Sequence, residues 1–266
     1  MSWNRQYRPR TISTLHLDTV RNYFSSLLSG NTFPQVFLFT GPKGTGKTST
    51  ARIIGALLND PQNTAVVESL FLKKETPTKK LKDPSAENTE LESIFQGQSF
   101  LVQEMDAASN RGIDDIRALK ERVQLPPVQG LIAVYILDEV HMLTSEAFNA
   151  LLKLLEEPPA HVVFILATTE LQKVPETVVS RCQIVQFSLA SEAELLSAMK
   201  KVVAAEKLSI GDDVLTFLAQ QANGSFRDAI KLLEQAASLK TTSLAEVEAS
   251  LGRQYSFLIP QLAQAV

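Results

Sequence analysis

The chain has 266 residues, 44% of them hydrophobic and 21% charged, which is typical of a globular protein of about two domains with a sizeable core. Its formal net charge of −3 argues against general coating of a polyanion, so any nucleic-acid contact has to come from a local basic surface. The only cysteine, Cys182, excludes an intrachain disulfide and a cysteine-based zinc site. No apolar run is long enough to cross a membrane or form a signal-peptide core, so a cytoplasmic protein is expected.

Short apolar runs alternate with helical patterns over the first two-thirds of the chain, which predicts an α/β fold with a mostly parallel sheet. The candidate strands are Val36–Phe39, Phe100–Met105, Ala133–Leu137, Val162–Ala167 and Ile184–Phe187. Apolar residues at helical spacing predict helices over Thr48–Leu58 and Ser145–Glu157, and Pro158 and Pro159 end the second one.

From Ser191 onward the strand patterns vanish and helical periodicity continues, which predicts a second, all-helical domain. Its candidate helices are Glu192–Glu206, Asp212–Ala222, Ser225–Ser238 and Ser243–Leu251.

The segment 59–98 interrupts the α/β rhythm because it is rich in Lys, Glu, Pro, Thr and Asn. Within it, Lys73–Lys82 holds five lysines against one glutamate. A solvated insertion is the favoured interpretation. A patch that faces phosphates is the alternative, and the absence of aromatic residues interleaved with these lysines weakens it.

A glycine-rich turn follows the first candidate strand and precedes the first candidate helix. It fits the pattern G-x-x-x-x-G-K-[ST] completely, with the residues Gly41, Pro42, Lys43, Gly44, Thr45, Gly46, Lys47 and Thr48. Glycines in such a turn let backbone N–H groups surround a phosphate chain, and the helix N-terminus adds a favourable dipole. We therefore expect ATP at this turn and the adjoining Ser49, with Lys47 reaching the β- and γ-phosphates and the Thr48 hydroxyl binding Mg²⁺.

The third candidate strand ends in two carboxylates, Asp138 and Glu139. After a complete phosphate-binding turn, this pair suggests that Asp138 makes a second contact to Mg²⁺ and that Glu139 is the general base for an attacking water. An acidic pair that only caps a turn is the alternative interpretation.

The fourth candidate strand ends in Thr168 and Thr169, where a hydroxyl could sense the γ-phosphate or hold the water. A threonine pair that satisfies local backbone groups is an equal alternative. Two arginines also stand out, Arg181 in Ser-Arg-Cys and Arg227 in Gly-Ser-Phe-Arg-Asp, but spacing alone assigns a role to neither.

Several runs resemble the bacterial DNA polymerase III gamma/tau clamp-loader family. They are HMLTSEAFNALLKLLEEPP at 141–159, LATT at 166–169, SRC at 180–182, YRP at 7–9, DAAS at 106–109 and GSFRD at 224–228. The resemblance spans nearly the whole chain, and the run at 141–159 is its most specific part.

The resemblance implies an AAA+ nucleotide-binding core over 1–188, a helical lid over 189–241, and the start of an incomplete C-terminal collar domain over 242–266. It also implies roles around the nucleotide: Tyr7, Arg8 and Pro9 beside the adenine, Asp138 and Glu139 as the Walker B pair, Thr168 or Thr169 as sensor 1, and Arg227 as sensor 2. Arg181 would be an arginine finger that acts in trans on a neighbouring subunit's ATP, so the isolated chain is expected to hydrolyse ATP poorly.

Three further expectations follow from the same resemblance. Asn110 and Arg111 would face primer-template DNA, with a helix cap as the equal alternative. The family's zinc-binding cysteines are missing from 59–98, so a different insert and no zinc are expected. The chain stops where the collar has scarcely begun, which suggests truncation.

The function implied is that of an ATPase subunit of the DNA polymerase holoenzyme, which uses ATP binding and hydrolysis to load the sliding clamp onto primed DNA. Its expected partners are the delta and delta-prime subunits, further gamma/tau copies, the clamp and the primer-template, with no membrane. One alternative is a non-hydrolysing, delta-prime-like scaffold, against which Lys47, Thr48, Asp138 and Glu139 count. A small subunit like those of replication factor C is another, and the run LLKLLEEPP favours the bacterial form.

Overall fold

The computed structural model describes residues 2–73, 75–85, 88, 91–239 and 243–256, with side chains described as far as residue 250. The chain divides into two compact units. One is Pro9–Ser188, and the other joins Met1–Arg8 with Leu189–Val266. Residues 1–8, which the sequence groups with the α/β core, therefore belong to the helical unit.

The unit Pro9–Ser188 contains a five-stranded parallel sheet, which confirms the predicted fold class. Its strands are β1 (Val36–Thr40), β2 (Val102–Asp106), β3 (Ala133–Asp138), β4 (Val162–Thr168) and β5 (Gln183–Gln186). Each lies within two residues of its predicted bounds. The spatial order is β2-β3-β4-β1-β5, so the carboxyl ends of β3, β4 and β1 lie side by side at one edge.

The central strands are apolar at nearly every position because helices cover both faces of the sheet. β1 and β4 are buried throughout, and β3 is buried up to its last residue. The edge strand β5 is mostly exposed.

The helices of this unit are α2 (Asp18–Leu28), α3 (Lys47–Asn59), α4 (Thr64–Val67), α5 (Glu92–Gln96), α6 (Ile113–Val123), α7 (Ser145–Glu156) and α8 (Glu176–Val179). The Thr144 hydroxyl caps α7 by accepting the Ala147 N–H at 3.2 Å, and the helix ends just before the predicted stop at Pro158. Of these helices, the sequence predicted the bounds of α3 and α7 alone.

Successive side chains of β1 point to opposite faces of the sheet, so they contribute to two separate parts of the core. Val36 and Leu38 join the apolar residues of α6 and α7. On the other side, Phe37 and Phe39 lie in an aromatic cluster with ring centroids 5.1–6.0 Å apart, whose other members are Phe24, Phe33, Phe71 and Phe187.

The expectation that 59–98 is a solvated insertion is wrong for its apolar residues. Val67, Phe71, Leu81 and Ile94 are almost completely buried, and Phe71 stacks against Phe33 of the main core. The described lysines of this segment are exposed. The insertion is thus amphipathic: its apolar side chains complete the core while its lysines face solvent.

Asn63 ties the insertion together from a fully buried position. Its amide nitrogen donates to the carbonyl oxygens of Leu57 at 2.9 Å and Lys82 at 2.8 Å, and its amide oxygen accepts the Lys82 N–H at 2.8 Å. One side chain therefore joins the last turns of α3 to Lys82, which lies 19 residues beyond Asn63.

The second unit is all-helical, as predicted, and contains α1 (Trp3–Gln6), α9 (Glu192–Ala205), α10 (Asp212–Gln221), α11 (Phe226–Ser238) and α12 (Leu244–Ser256). Glu234 of α11 accepts hydrogen bonds from the Ser2 hydroxyl at 2.8 Å and the Trp3 N–H at 3.3 Å, which fastens α1 to α11. The part of the expected collar that follows Ser256 lies outside the described residues. No helix among those described is both long and apolar enough to span a bilayer.

We expect Asn63→Ala to destabilise the α/β unit by about 2–4 kcal/mol, because one buried and two partly buried backbone groups lose their partner. Urea denaturation measures the change, and faster amide exchange at Lys82 locates it. The matched control is Asn149→Ala on the exposed face of α7, which should change stability by at most about 0.5 kcal/mol. Equal effects of the two substitutions would contradict the structural role of Asn63.

Candidate nucleotide-binding site

Three of the predicted groups of the α/β unit gather at the carboxyl edge of the sheet. The glycine turn follows β1, the acidic pair follows β3, and the threonine pair ends β4, which lies between them. The Gly41 N–H donates to the Thr168 carbonyl oxygen at 3.1 Å, so the turn is fixed directly to the end of β4.

Three glycines of the turn adopt left-handed backbone conformations, with φ of +141° at Gly41, +78° at Gly44 and +106° at Gly46. At Gly41 a Cβ atom would lie only 1.9 Å from the Phe187 carbonyl oxygen, so any side chain is excluded. At Gly46 a Cβ atom would meet nothing within 4 Å. Sterics thus make glycine obligatory at Gly41, whereas only the dihedral angle favours it at Gly46.

Lys47 begins α3, and its residue is only 7% exposed. Its Nζ donates to the carbonyl oxygens of Gly41 at 2.6 Å and Pro42 at 2.8 Å. The Pro42 carbonyl also accepts the Thr45 hydroxyl at 2.9 Å. A buried ammonium, open glycine backbone and a helix N-terminus are the donors that suit a polyphosphate, so these residues fit the expected ATP.

Asp138 lies half-buried at the end of β3, and its Oδ1 accepts the Glu139 N–H at 3.0 Å. Burial raises the pKa of this carboxyl, with a further contribution from the charge of Glu139, while the Lys47 ammonium acts in the opposite direction. Because burial penalises its charge, Asp138 gains from a cation beside it, which fits an Mg²⁺ ligand.

Glu139 has a left-handed backbone, with φ of +49°, and a mostly buried side chain. Its Oε2 accepts the Thr169 hydroxyl at 3.0 Å and the Thr169 N–H at 3.3 Å, and its Oε1 lies 3.3 Å from the Lys43 Nζ. Burial raises the pKa of Glu139, but hydrogen bonds from Thr169 and Lys43 outweigh it and bring the pKa below its ordinary value. The carboxylate is therefore ionised at neutral pH, as a general base requires.

The structure separates the two threonines that the sequence could not distinguish. The Thr169 hydroxyl contacts Glu139, whereas Thr168 is completely buried and its Oγ1 lies 2.9 Å from the His141 Nδ1. Sequence reasoning gave His141 no role, since a lone histidine beside an acidic pair carries no spacing pattern.

Arg181 lies in the same unit, between α8 and β5, and is partly exposed. Its Nε donates to Glu156 Oε1 at 2.9 Å, and a second nitrogen donates to the Thr177 carbonyl oxygen. In the described part of the chain, Arg181 therefore contacts neither the glycine turn nor the acidic pair. A residue that acts in trans has to be free of its own subunit's site in this way.

The remaining predicted nucleotide contacts belong to the helical unit or to its border. The Tyr7 hydroxyl donates to Glu206, and this bond raises the pKa of Tyr7. The Arg8 Nε donates to the Asn4 carbonyl oxygen at 3.3 Å, and Arg227 is exposed in the first turn of α11. Pro9 is the first residue of the α/β unit. Roles for these four residues toward the adenine or the γ-phosphate stay predictions.

The segment expected to face DNA forms a compact turn before α6. The Asn110 Nδ2 donates to the Asp106 carbonyl oxygen at 2.9 Å, and the Asp115 carboxylate accepts the Gly112 N–H at 3.2 Å as part of a helix cap. Arg111 is exposed, while its carbonyl oxygen accepts the Thr144 N–H at 3.1 Å. Asn110 thus supports the turn, and Arg111 is the residue that remains available to a phosphate.

The sequence matches the family described as DNA polymerase III, delta subunit, over residues 17–191. It also matches the ATPase lid domain of the DNA polymerase III clamp loader subunit over residues 195–239. It is 37% identical to the tau subunit of DNA polymerase III from Bacillus subtilis, over 98% of this chain and 44% of that protein. It is 32% identical to the gamma subunit from Buchnera aphidicola of Acyrthosiphon pisum, over 97% of this chain and 67% of that protein. The chain thus spans less than half the length of the Bacillus subtilis relative.

The structure is similar to RuvB of Thermotoga maritima, with a TM-score of 0.64 at 17% identity, over 92% of this chain and 73% of that one. A likeness at this identity concerns the fold alone. It agrees with the AAA+ architecture that the motifs predict.

We expect Gly41→Ala to destabilise the α/β unit by more than about 3 kcal/mol, since it combines backbone strain with a clash against Phe187. Gly46→Ala is the matched control, with a positive φ but open space, and should cost only about 1–2 kcal/mol. Thermal and urea unfolding of the two variants measure the difference. If Gly46→Ala cost as much as Gly41→Ala, the steric explanation would be wrong.

We expect Thr169→Val to raise the pKa of Glu139, because the variant lacks one of the hydrogen bonds that stabilise the carboxylate. A carboxyl with a depressed folded pKa contributes stability above its unfolded pKa and loses it as the pH falls through the folded pKa. The variant should therefore differ most from wild type at neutral pH and least in acid. A ¹³C NMR titration of the Glu139 carboxyl measures the shift, with the exposed Thr177→Val of α8 as control. An unchanged Glu139 pKa would refute the assignment.

Proposed function

Because the chain belongs to the DNA polymerase III gamma/tau family of clamp-loader subunits, we propose that it binds Mg-ATP at the glycine turn and hydrolyses it. The observation that carries this proposal is the contact between Lys43 of the turn and Glu139 after β3. It brings the phosphate-binding turn and the candidate general base within 3.3 Å of each other.

In the proposed site, backbone N–H groups of residues 43–48 surround the β- and γ-phosphates of the substrate. Lys47 lies behind the turn with its ammonium among the loop carbonyls, and it can transfer a donor to phosphate without leaving a buried charge unpaired. Thr48 and Asp138 are the proposed ligands of the substrate's Mg²⁺. Their carboxylate and hydroxyl oxygens suit that cation.

Hydrolysis requires a water to attack the γ-phosphorus while its proton passes to a base, and ADP leaves with the bridging oxygen. Glu139 is the proposed base. It is ionised. The two residues that donate to it, Thr169 and Lys43, would both flank the γ-phosphate. A carboxylate has about four acceptor positions and Thr169 and Lys43 use three, so Glu139 can also accept from the water.

Arg181 is the proposed arginine finger. Its side chain is 33% exposed and is held by Glu156 at the end of α7, so it is presented at the surface rather than inserted into its own site. A guanidinium supplied in trans can raise NTPase rates by roughly 10³–10⁵. The proposed cycle therefore depends on assembly with other clamp-loader subunits, and its output is the loading of a sliding clamp onto primed DNA.

A non-hydrolysing scaffold is the second candidate, because the match over residues 17–191 carries the description of a delta subunit. The complete phosphate-binding turn, together with an ionised Glu139, argues against it. Stimulated turnover in the assembled complex separates the two candidates.

We expect Lys47→Ala to abolish ATP binding. Arg181→Ala should leave binding intact and lower stimulated turnover by at least about 10²-fold, since the finger acts only in the transition state. The measurements are the Kd for Mg-ATP by calorimetry and the turnover of a complex with partner subunits, clamp and primed DNA.

The control is Arg122→Ala on α6, an exposed arginine bonded to the Ala118 carbonyl oxygen, which should leave turnover unchanged. Full stimulated activity of Arg181→Ala would reject the trans role. Absence of ATP binding by the folded wild-type chain would reject the proposed function as a whole.

A further inference from the structure

His141 lies in the 3₁₀ turn Val140–Met142 directly after Glu139, and its side chain is only 6% exposed. Its Nδ1 lies 2.9 Å from the Thr168 Oγ1 and 3.5 Å from the Glu139 Oε2. Its Nε2 lies 3.2 Å from the Glu170 Oε1. One imidazole thus contacts the residues that follow β3 and those that end β4.

The hydrogens of this cluster can be assigned from its donors and acceptors. The Thr168 Oγ1 already accepts the Glu170 N–H at 3.0 Å, so its own O–H is available to donate. The Lys173 ammonium lowers the pKa of Glu170, so that carboxylate can only accept. An imidazole with its proton on Nε2 satisfies both contacts, because Nε2–H can donate to Glu170 and the Thr168 O–H can donate to Nδ1.

The backbone alone does not fix the ends of the two strands against each other. The residue pairing of β3 with β4 ends at Leu137 and Leu166, before either the acidic pair or the threonine pair is reached. Past this point the described links between the two strand ends are made by side chains, from His141 to Thr168 and from Thr169 to Glu139. Thr168 also holds the glycine turn through its carbonyl oxygen.

We propose that His141 is a positioning residue, whose bond to Thr168 fixes the end of β4 against the end of β3 and so holds Thr169 within reach of Glu139. The role in turnover rests on the proposed ATPase function. The imidazole touches neither the glycine turn nor Lys47 among the described contacts, so it acts on the alignment of the base rather than on nucleotide affinity.

Because His141 acts on the alignment of the base and not on nucleotide affinity, its loss is expected to lower kcat rather than raise KM. Pairing with Thr40 still holds the Thr168 backbone against β1, so loss of the bond shifts the end of β4 chiefly at Thr169. A displacement of about 1 Å at a reacting group can lower a rate by about 10²-fold. His141→Ala should lower kcat by about 10–100-fold, with KM and the Kd for a fluorescent N-methylanthraniloyl ATP analogue within about 2-fold of wild type. His141→Asn should recover part of the rate, because its amide oxygen can accept the Thr168 hydroxyl proton.

The experiment uses the assembled complex with clamp and primed DNA. The matched control is His161→Ala, a half-buried histidine whose Nε2 lies 3.0 Å from the Val123 carbonyl oxygen, and it should retain wild-type kcat. A double-mutant cycle with Thr168→Val tests the route: if His141 acts through Thr168, the double variant is no slower than either single variant. Wild-type kcat in His141→Ala, a raised KM with unchanged kcat, or additive effects in the cycle would each overturn the proposal.

A readout without turnover separates this inference from the proposed function. Long-range ¹H–¹⁵N spectra of the wild-type chain should show His141 protonated at Nε2, and Thr168→Val should shift its Nδ1 resonance. His141→Ala should shift the Thr169 amide and Glu139 carboxyl resonances. If the wild-type complex fails to hydrolyse ATP but these shifts occur, the proposed function fails and the positioning by His141 stands. If the resonances of Thr169 and Glu139 do not respond, the positioning fails whatever the turnover.

Discussion

The hydrogen bond from the Gly41 N–H to the Thr168 carbonyl oxygen, 3.1 Å long, fixes where the glycine turn leaves the sheet. Every feature of the candidate site depends on that point. β4 lies between β1 and β3, so the residue that ends β4 is the one place from which both the phosphate-binding turn and the acidic pair can be reached. The Thr168 carbonyl oxygen accepts the N–H of the phosphate-binding turn. Its hydroxyl contacts His141, which lies just after the acidic pair. A sheet with another strand order would separate these groups.

Burial and charge give the two neighbouring carboxylates different properties. Burial raises the pKa of Asp138, whereas Thr169 and Lys43 bring that of Glu139 below its ordinary value. Environments that push two adjacent titratable groups apart are a common basis for separate roles in one site. Here Asp138, whose charge is penalised by burial, gains most from a bound cation, while Glu139 stays ionised.

The sequence predicts what is local and misses what depends on distant residues. The central strands β1, β3 and β4 were predictable because sustained apolar runs mark buried parallel strands, and α7 because Pro158 stops it. The burial of Phe71 was not predictable, since its partner Phe33 lies far away in a segment without a strand or helix pattern. Thr168 and Thr169 could not be separated by pattern either. The two threonines differ in their partners: of the two, His141 contacts Thr168, from which it lies 27 residues away in sequence.

The ion pair between Arg181 and Glu156 is weak enough for Arg181 to leave it for another partner. Its ion pair with Glu156 is 33% and 45% exposed at the two side chains, and pairs of this kind contribute only about 0–1 kcal/mol. Arg52 and Glu104 form a similar pair in which the arginine is only 14% exposed, so that arginine loses more when its partner is removed. A guanidinium binds phosphate through short, charge-assisted and often bidentate bonds. A triphosphate on a neighbouring subunit would therefore compete well with Glu156 for Arg181, while Arg52 would stay where it is.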